Sequence, residues 1–173
     1  MIQDLIRNNL REIPDFPSKG ISYKDITPLL EDPLIFKEII KEFCKLITPL
    51  KPNVIVGIES RGFIFSAPIA IKLGIPMSLA RKPGKLPYKT ITVNYDLEYG
   101  TDSLEMHVDS IKDKDKVLVI DDILATGGTA KATCDLVKQL KGTVVGTAFL
   151  IELSNLKGKK KLETDQIISL FKA

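Results

Sequence analysis

Two adjacent carboxylates, Asp121 and Asp122, stand between the apolar run Val117-Leu118-Val119-Ile120 and a small-residue stretch, Ala125-Thr126-Gly127-Gly128-Thr129. These neighbours ask for opposite charges. Glycines and alanine let a backbone fold closely round an anion, two threonine hydroxyls add donors, and a helix N-terminus behind them adds a favourable dipole. That combination suits a terminal phosphate, although neither the Gly-Lys-Ser/Thr of a Walker loop nor a dinucleotide fingerprint is present. The acids must face something else. A carboxylate accepts hydrogen bonds well from a vicinal diol, so a ribose joined to that phosphate accounts for both features: acids on the 2- and 3-hydroxyls, amides and threonines on the 5-phosphate. A surface acid pair capping the next turn would explain the acids alone but not the whole pattern.

Such groups need a rigid frame, and the chain carries the pattern of one. Asp32-Pro33 caps and starts a helix whose apolar stripe, Leu34, Ile35, Phe36, Ile39, Ile40, Phe43, Cys44 and Ile47, lasts until Pro49. "NVIVGIES" predicts a short strand, Gly62–Leu73 a helix, Met77–Arg81 a strand, Lys116–Ile120 a strand, Thr129–Leu140 a helix and Thr143–Ile151 another buried strand. Continuous apolar runs separated by helices predict an α/β fold, with a central, mostly parallel sheet flanked by helices. Ligands bind such sheets beyond the carboxyl ends of the strands, which is where "GIESRGF" and "DDILATGGTA" fall. Between them the long polar insertion "RKPGKLPYKTITVNYDLEYGTDSLEM" has the character of a lid. Thr90–Asn94 and Leu104–Val108 alternate enough to form a mobile hairpin.

Composition narrows the classes. With 173 residues, 44% hydrophobic and 27% charged, the chain fits one globular domain, 1–173. No apolar run approaches the roughly 20 residues of a membrane span. Asp4 and Arg7 interrupt what a secretory leader would keep apolar, so a cytoplasmic location is expected. The net charge of +3 gives no reason to expect nucleic acid, and "KGKKK" at Lys157–Lys161 reads as a solvated turn. Cys44 and Cys134 read as reduced, partly buried thiols, and His107 as a strand side chain.

The acid pair with its threonine–glycine loop resembles the phosphoribosyl pyrophosphate (PRPP) signature of type I phosphoribosyltransferases. Three further stretches resemble the adenine-specific family: "GIESRGFIFSAPIA" its pyrophosphate loop, "RKPGKLP" with "LEYG" its catalytic loop, and "IPDFPSKGISYKDITPLL" its N-terminal hood. With "LIELSNLKG" near the end, the resemblance spans nearly the whole chain in order.

The resemblance implies the type I phosphoribosyltransferase fold, with a small hood over 1–30 and a flexible catalytic loop over 82–105. It implies salvage of adenine with PRPP to AMP and pyrophosphate, by a homodimer; from charge and hydropathy, no nucleic acid and no membrane are expected as partners. It implies that Arg61 holds pyrophosphate, with Glu59 and Ser60 shaping its loop through a non-proline cis peptide. Arg81, Lys82 and Lys85 would close over the leaving group. Ala125, Thr126, Gly127, Gly128 and Thr129 would bind the 5-phosphate. Glu98, with Tyr99 beside it, would be the acid at the imidazole edge of the purine, while Ile21, Lys24 and Leu153 would line the base. Mg2+ would arrive with PRPP and reach Asp121 and Asp122 through water rather than by direct ligation. One departure stands out: the family hood commonly reads Gly-Val-x-Phe-Arg-Asp, whereas Lys24 here puts a point charge where a planar guanidinium is common. The alternatives are a transferase for another purine, xanthine or hypoxanthine/guanine, and a donor-sensing regulator that keeps the fold.

Overall fold

The computed structural model describes residues 1–96 and 100–173. In chain order the elements are α1 (Ile2–Asn9), β1 (Arg11–Pro14), β2 (Ser22–Asp25), α2 (Thr27–Glu31), α3 (Pro33–Ile47), β3 (Val54–Ile58), α4 (Gly62–Leu73), β4 (Met77–Ala80), β5 (Thr90–Asp96), β6 (Thr101–His107), β7 (Lys116–Leu124), α5 (Gly128–Gln139), β8 (Thr143–Glu152) and β9 (Ile167–Lys172). The chain divides into two units, Met1–Glu42 and Phe43–Ala173, and the division falls inside α3.

The larger unit is built on a five-stranded sheet in the order β4-β3-β7-β8-β9, parallel at every pairing. Its central strands are apolar without alternation because both faces are covered. Val54, Val56, Ile58, Val117 and Val119 share one cluster with Ala130, Ala132, Leu136 and Val137 of α5 and with Leu104 and Met106 of β6. The opposite face of β3 meets α4, since a Cβ at Gly57 would lie 2.3 Å from Ser66 Oγ. Only a glycine lets α4 sit that close.

The insertion folds as the antiparallel hairpin β5–β6, with Thr90 opposite His107 and Tyr95 opposite Asp102. In the smaller unit, β1 and β2 pair antiparallel, Glu12 opposite Lys24. Asp32 Oδ1 accepts from the amides of Leu34 and Ile35 at 2.8 and 3.1 Å, capping α3 as its sequence requires.

Several expectations change. β7 does not stop at Ile120 but runs through the two acids to Leu124. The reason lies in its neighbours: β3 pairs with it only as far as Ile120, whereas β8 stays paired out to Leu124. Leu34 is 72% exposed and lies off the buried stripe of α3. Helix α1, the β1–β2 hairpin and β9 add to the elements expected from sequence. β9 joins the sheet parallel to β8 through two short 3-10 turns, Ser154–Leu156 and Gly158–Lys161, without a helix between. Both cysteines are buried, free thiols. Burial raises the Cys44 pKa and pushes that of Cys134 up to about 12.

Candidate active site

The early end of β3 leaves a gap beside the last residues of β7, and the turn after β3 occupies it. The peptide between Glu59 and Ser60 is cis, as the resemblance implies. Gly62 follows so closely that a Cβ there would lie 2.7 Å from Ile120 O and 3.2 Å from Asp121 Cα. Arg61, at the start of α4, brings its Nε to 2.5 Å from Asp122 Oδ2. This contact is one of charge, because Oδ2 receives no aligned hydrogen bond among the described residues.

The two acids differ in environment. Asp122 is 4% exposed and compensated by Arg61. Asp121 keeps some surface, but its carboxyl is packed in on most sides. That burial, followed by the neighbouring Asp122 charge, raises its pKa well above the ordinary carboxylate value against a weaker pull from Arg61. Its Oδ1 accepts from the Asp122 amide at 2.9 Å.

Beyond Leu124 the chain turns through Ala125–Thr129 into α5, with Gly127 at φ +80° as the N-terminal cap. The amides of Thr126 and Gly127 donate to no backbone acceptor among the described residues. Ala125–Thr129 with Asp121 line a small cavity of about 60 Å³. Free amides, a left-handed glycine and a helix start make an anion cradle one short turn from the acid pair. Leu153 is held beside this turn by donating its amide to Leu124 O at 2.9 Å.

A second cluster of charge lies at the ends of β3 and β4. The Arg81 guanidinium donates to both Glu59 oxygens, Nε to Oε2 at 3.2 Å and Nη2 to Oε1 at 3.1 Å, and the Lys82 amide donates to Oε2 at 2.8 Å. Burial would raise the Glu59 pKa, but the Lys82 amide, the Arg81 donors and the charges of Arg81 and Lys85 together bring it below its ordinary value. Lys82 Nζ donates to Tyr95 Oη at 2.8 Å and also contacts Asp102 Oδ2. Burial opposes the charge on Lys82, yet Asp102 and Tyr95 raise its pKa, and the Lys82 hydrogen bond lowers that of Asp102. Lys85 is exposed and gives its carbonyl to Arg81 Nη1 at 3.1 Å.

Thus the structure joins Glu59 to Arg81 and Lys82, and Arg61 to Asp122. It sets Asp121 and the cradle on successive residues of one strand and loop. Glu98 and Tyr99 lie outside the described residues. In the smaller unit Ile21 is 46% exposed, while Lys24 pairs with Glu12 at 2.6 Å across the β1–β2 ladder. Three participants escaped sequence reasoning: Tyr95 and Asp102, which hold Lys82, and Gly158, which touches the cradle. The first two had a signal, since a hairpin with this alternation sets Tyr95 opposite Asp102.

A parallel sheet carrying an acid pair and a glycine–threonine anion loop at its carboxyl edge defines a phosphoribosyl-binding α/β protein. The chain belongs to the phosphoribosyl transferase domain family, whose model matches residues 25–171. Among its relatives, the adenine phosphoribosyltransferase of Kosmotoga olearia is 50% identical over 165 residues, covering 95% of this chain and 97% of its own. The crystal structure of adenine phosphoribosyltransferase from Thermoanaerobacter pseudethanolicus superposes with a TM-score of 0.96 at 47% identity, covering 100% of both chains. That of the Saccharomyces cerevisiae enzyme, complexed with D-2,5-dideoxy-2,5-imino-altritol 1,6-bisphosphate and adenine, gives 0.93 at 36% identity over 98% of each chain.

Proposed function

We infer that this protein is an adenine phosphoribosyltransferase of purine salvage, forming AMP and pyrophosphate from adenine and PRPP. The observation that carries the reading is the run from Asp121 to Thr129: two carboxylates at a strand's carboxyl end, then a cradle of free amides opening a helix. The relatives' shared activity supports it.

In this reading the cradle binds the 5-phosphate, and Asp121 and Asp122 hold the ribose hydroxyls. The bond from the anomeric carbon to pyrophosphate breaks, the purine N9 lone pair forms the new bond, and the N9 proton passes to the departing pyrophosphate or to solvent. Positive charge for the departing pyrophosphate comes from Arg61, Arg81, Lys82 and Lys85. Arg81 and Lys82 are already lodged on Glu59 and Asp102, so donor binding exchanges one set of anionic oxygens for another. Glu98 stabilises the purine at N7 as the N9 proton departs, with Tyr99 beside it. Ile21, Lys24 and Leu153 border the base. Because Lys24 is engaged by Glu12, backbone groups around Ile21 carry more of the base recognition than its ammonium. Over 82–105, closure excludes the water that would hydrolyse PRPP.

The acid pair also fits Mg2+ carried by the donor: both groups are hard oxygen donors, and Asp121 keeps some surface beside the cradle cavity that it helps to line. Asp121 and Asp122 would hold it through water, and it would supply positive charge toward the leaving group. A homodimer is supported by the apolar exposure on α4, where Ile71 is 83% and Ile64 38% exposed. A cytoplasmic location is supported by two buried, unbridged thiols. No helix among the described residues is long and apolar enough to cross a membrane.

Incubation with adenine, PRPP and Mg2+ tests the reading. AMP and pyrophosphate should appear in equal amounts; consumption of PRPP without AMP would overturn it.

A further inference from the structure

Lys157–Lys161 reads from sequence as a solvated basic turn, yet Gly158 in its middle is buried. Its neighbour is the phosphate cradle. A Cβ at Gly158 would stand 2.2 Å from Ala125 O and 3.0 Å from Gly127 N, and a Cβ at Gly127 would stand 2.4 Å from Gly158 O. Two backbones therefore meet glycine to glycine, at a separation no side chain permits. The left-handed φ of Gly127 accounts for one of these glycines, but Gly158 shows no such requirement and is explained by the close approach alone.

The segment that delivers Gly158 is fastened on several sides. Leu153 donates its amide to Leu124 O at 2.9 Å, Ser154 donates to Ala173 O at 3.0 Å, and Ala173 donates to Glu152 O at 2.9 Å. Lys159, next to Gly158, reaches back to the largely buried Glu152 carboxylate at 2.8 Å. Leu162 then enters the core. Glu152 terminates β8, so the ion pair ties the turn to the sheet edge that also carries the cradle.

We infer that Gly158 and the Lys159–Glu152 pair are positioning residues for the donor's 5-phosphate: the turn over 154–161 buttresses the Ala125–Thr129 loop and fixes the direction of its free amides. The inference rests on the reading of that loop as the phosphate site. A loop whose N–H groups must point at one anion gains from being set before the ligand arrives, since binding energy is then not spent on ordering it. Without the buttress, a glycine-rich loop samples other conformations.

Four variants separate the possibilities, each read by PRPP KM, adenine KM, the Kd of ribose 5-phosphate by calorimetry, and Tm. Gly158→Ala forces the two backbones apart. It should raise PRPP KM and the ribose 5-phosphate Kd by about tenfold, the size of one misdirected hydrogen bond to a charged group, and leave adenine KM in place. Lys159→Met removes only the tie. It should raise the same two constants about two- to fivefold, consistent with a partly exposed pair, and Lys159→Arg should restore them. The double variant Thr126→Val/Thr129→Val examines the underlying reading. If it leaves the ribose 5-phosphate Kd unchanged, the phosphate assignment itself fails. If it weakens binding while Gly158→Ala and Lys159→Met do not, the buttress alone is overturned. Should Gly158→Ala not fold, Lys159→Met decides: unchanged donor constants, or equal loss of donor and adenine affinity, refute the inference.

Discussion

Replacing Asp121 by Asn should cost activity and yet stabilise the free protein. Asp121 is raised well above its ordinary pKa, first by burial and then by the charge of Asp122. A folded-state pKa above the unfolded one stabilises the fold fully below the unfolded value, about 3.9 for Asp, and that stability is lost as pH rises through the folded pKa. At pH 8, well above the unfolded value, keeping this crowded carboxyl buried is therefore a net cost. Each unit of elevation corresponds to about 1.4 kcal/mol, and about 1 kcal/mol moves Tm by about 2–4 °C for a chain of this size. Asn keeps the oxygen that accepts from the Asp122 amide while removing the charge. Its Tm should exceed that of the wild type at pH 8, with the gap closing towards pH 4. Activity should move the other way, kcat/KM for PRPP falling about ten- to a hundredfold as charged hydrogen bonds to the diol are lost. Calorimetric melts at both pH values, paired with steady-state kinetics, check both halves. A variant that melts lower than the wild type at pH 8, or a gap that does not change with pH, would refute the burial argument. Unchanged PRPP kinetics would refute the ribose role.

Three further outcomes follow from the geometry and the proposed roles. Glu59→Gln should lose about 1.5–3 kcal/mol at pH 7, since a charged acceptor for Arg81 and the Lys82 amide is gone. Because the Glu59 pKa is lowered, this loss should fade as pH falls from about 4.3 through the folded value, and urea titrations at pH 7 and pH 3 read it. Glu98→Ala should lose about 10²–10⁴-fold in kcat and Glu98→Gln less, with PRPP affinity unmoved; an alanine enzyme keeping half its kcat would remove the proton role. Lys24→Ala should raise adenine KM only modestly, since Lys24 is engaged by Glu12; a loss matching that of Asp121→Asn would return base recognition to its ammonium.

How far the chain could be read from its sequence depended on whether each signal was local. β3, β8 and the first part of β7 announce themselves as largely apolar runs, and α3 because Asp32-Pro33 and Pro49 bound it. The cradle was legible for the same reason: its glycines, threonines and following helix are consecutive. What escaped was set by neighbours distant in the chain. The extension of β7 past Asp121 depends on β8 continuing where β3 stops. β9 is a short run with no helix before it, and its place comes from pairing with β8. The grip of Asp102 and Tyr95 on Lys82 needs the hairpin register. Gly158 looks like an ordinary turn glycine until the cradle is seen against it.

Transfer of a phosphoribosyl group to adenine can be measured against the other purines by competition among bases. One reaction holds PRPP, Mg2+ and equal concentrations of adenine, hypoxanthine, guanine and xanthine, with the nucleotides separated and quantified over time and a parallel reaction run in chelator. AMP should be the dominant product, with pyrophosphate in equal amount and little turnover in chelator. Accumulation of IMP, GMP or XMP while adenine stays unconsumed would contradict adenine as the acceptor.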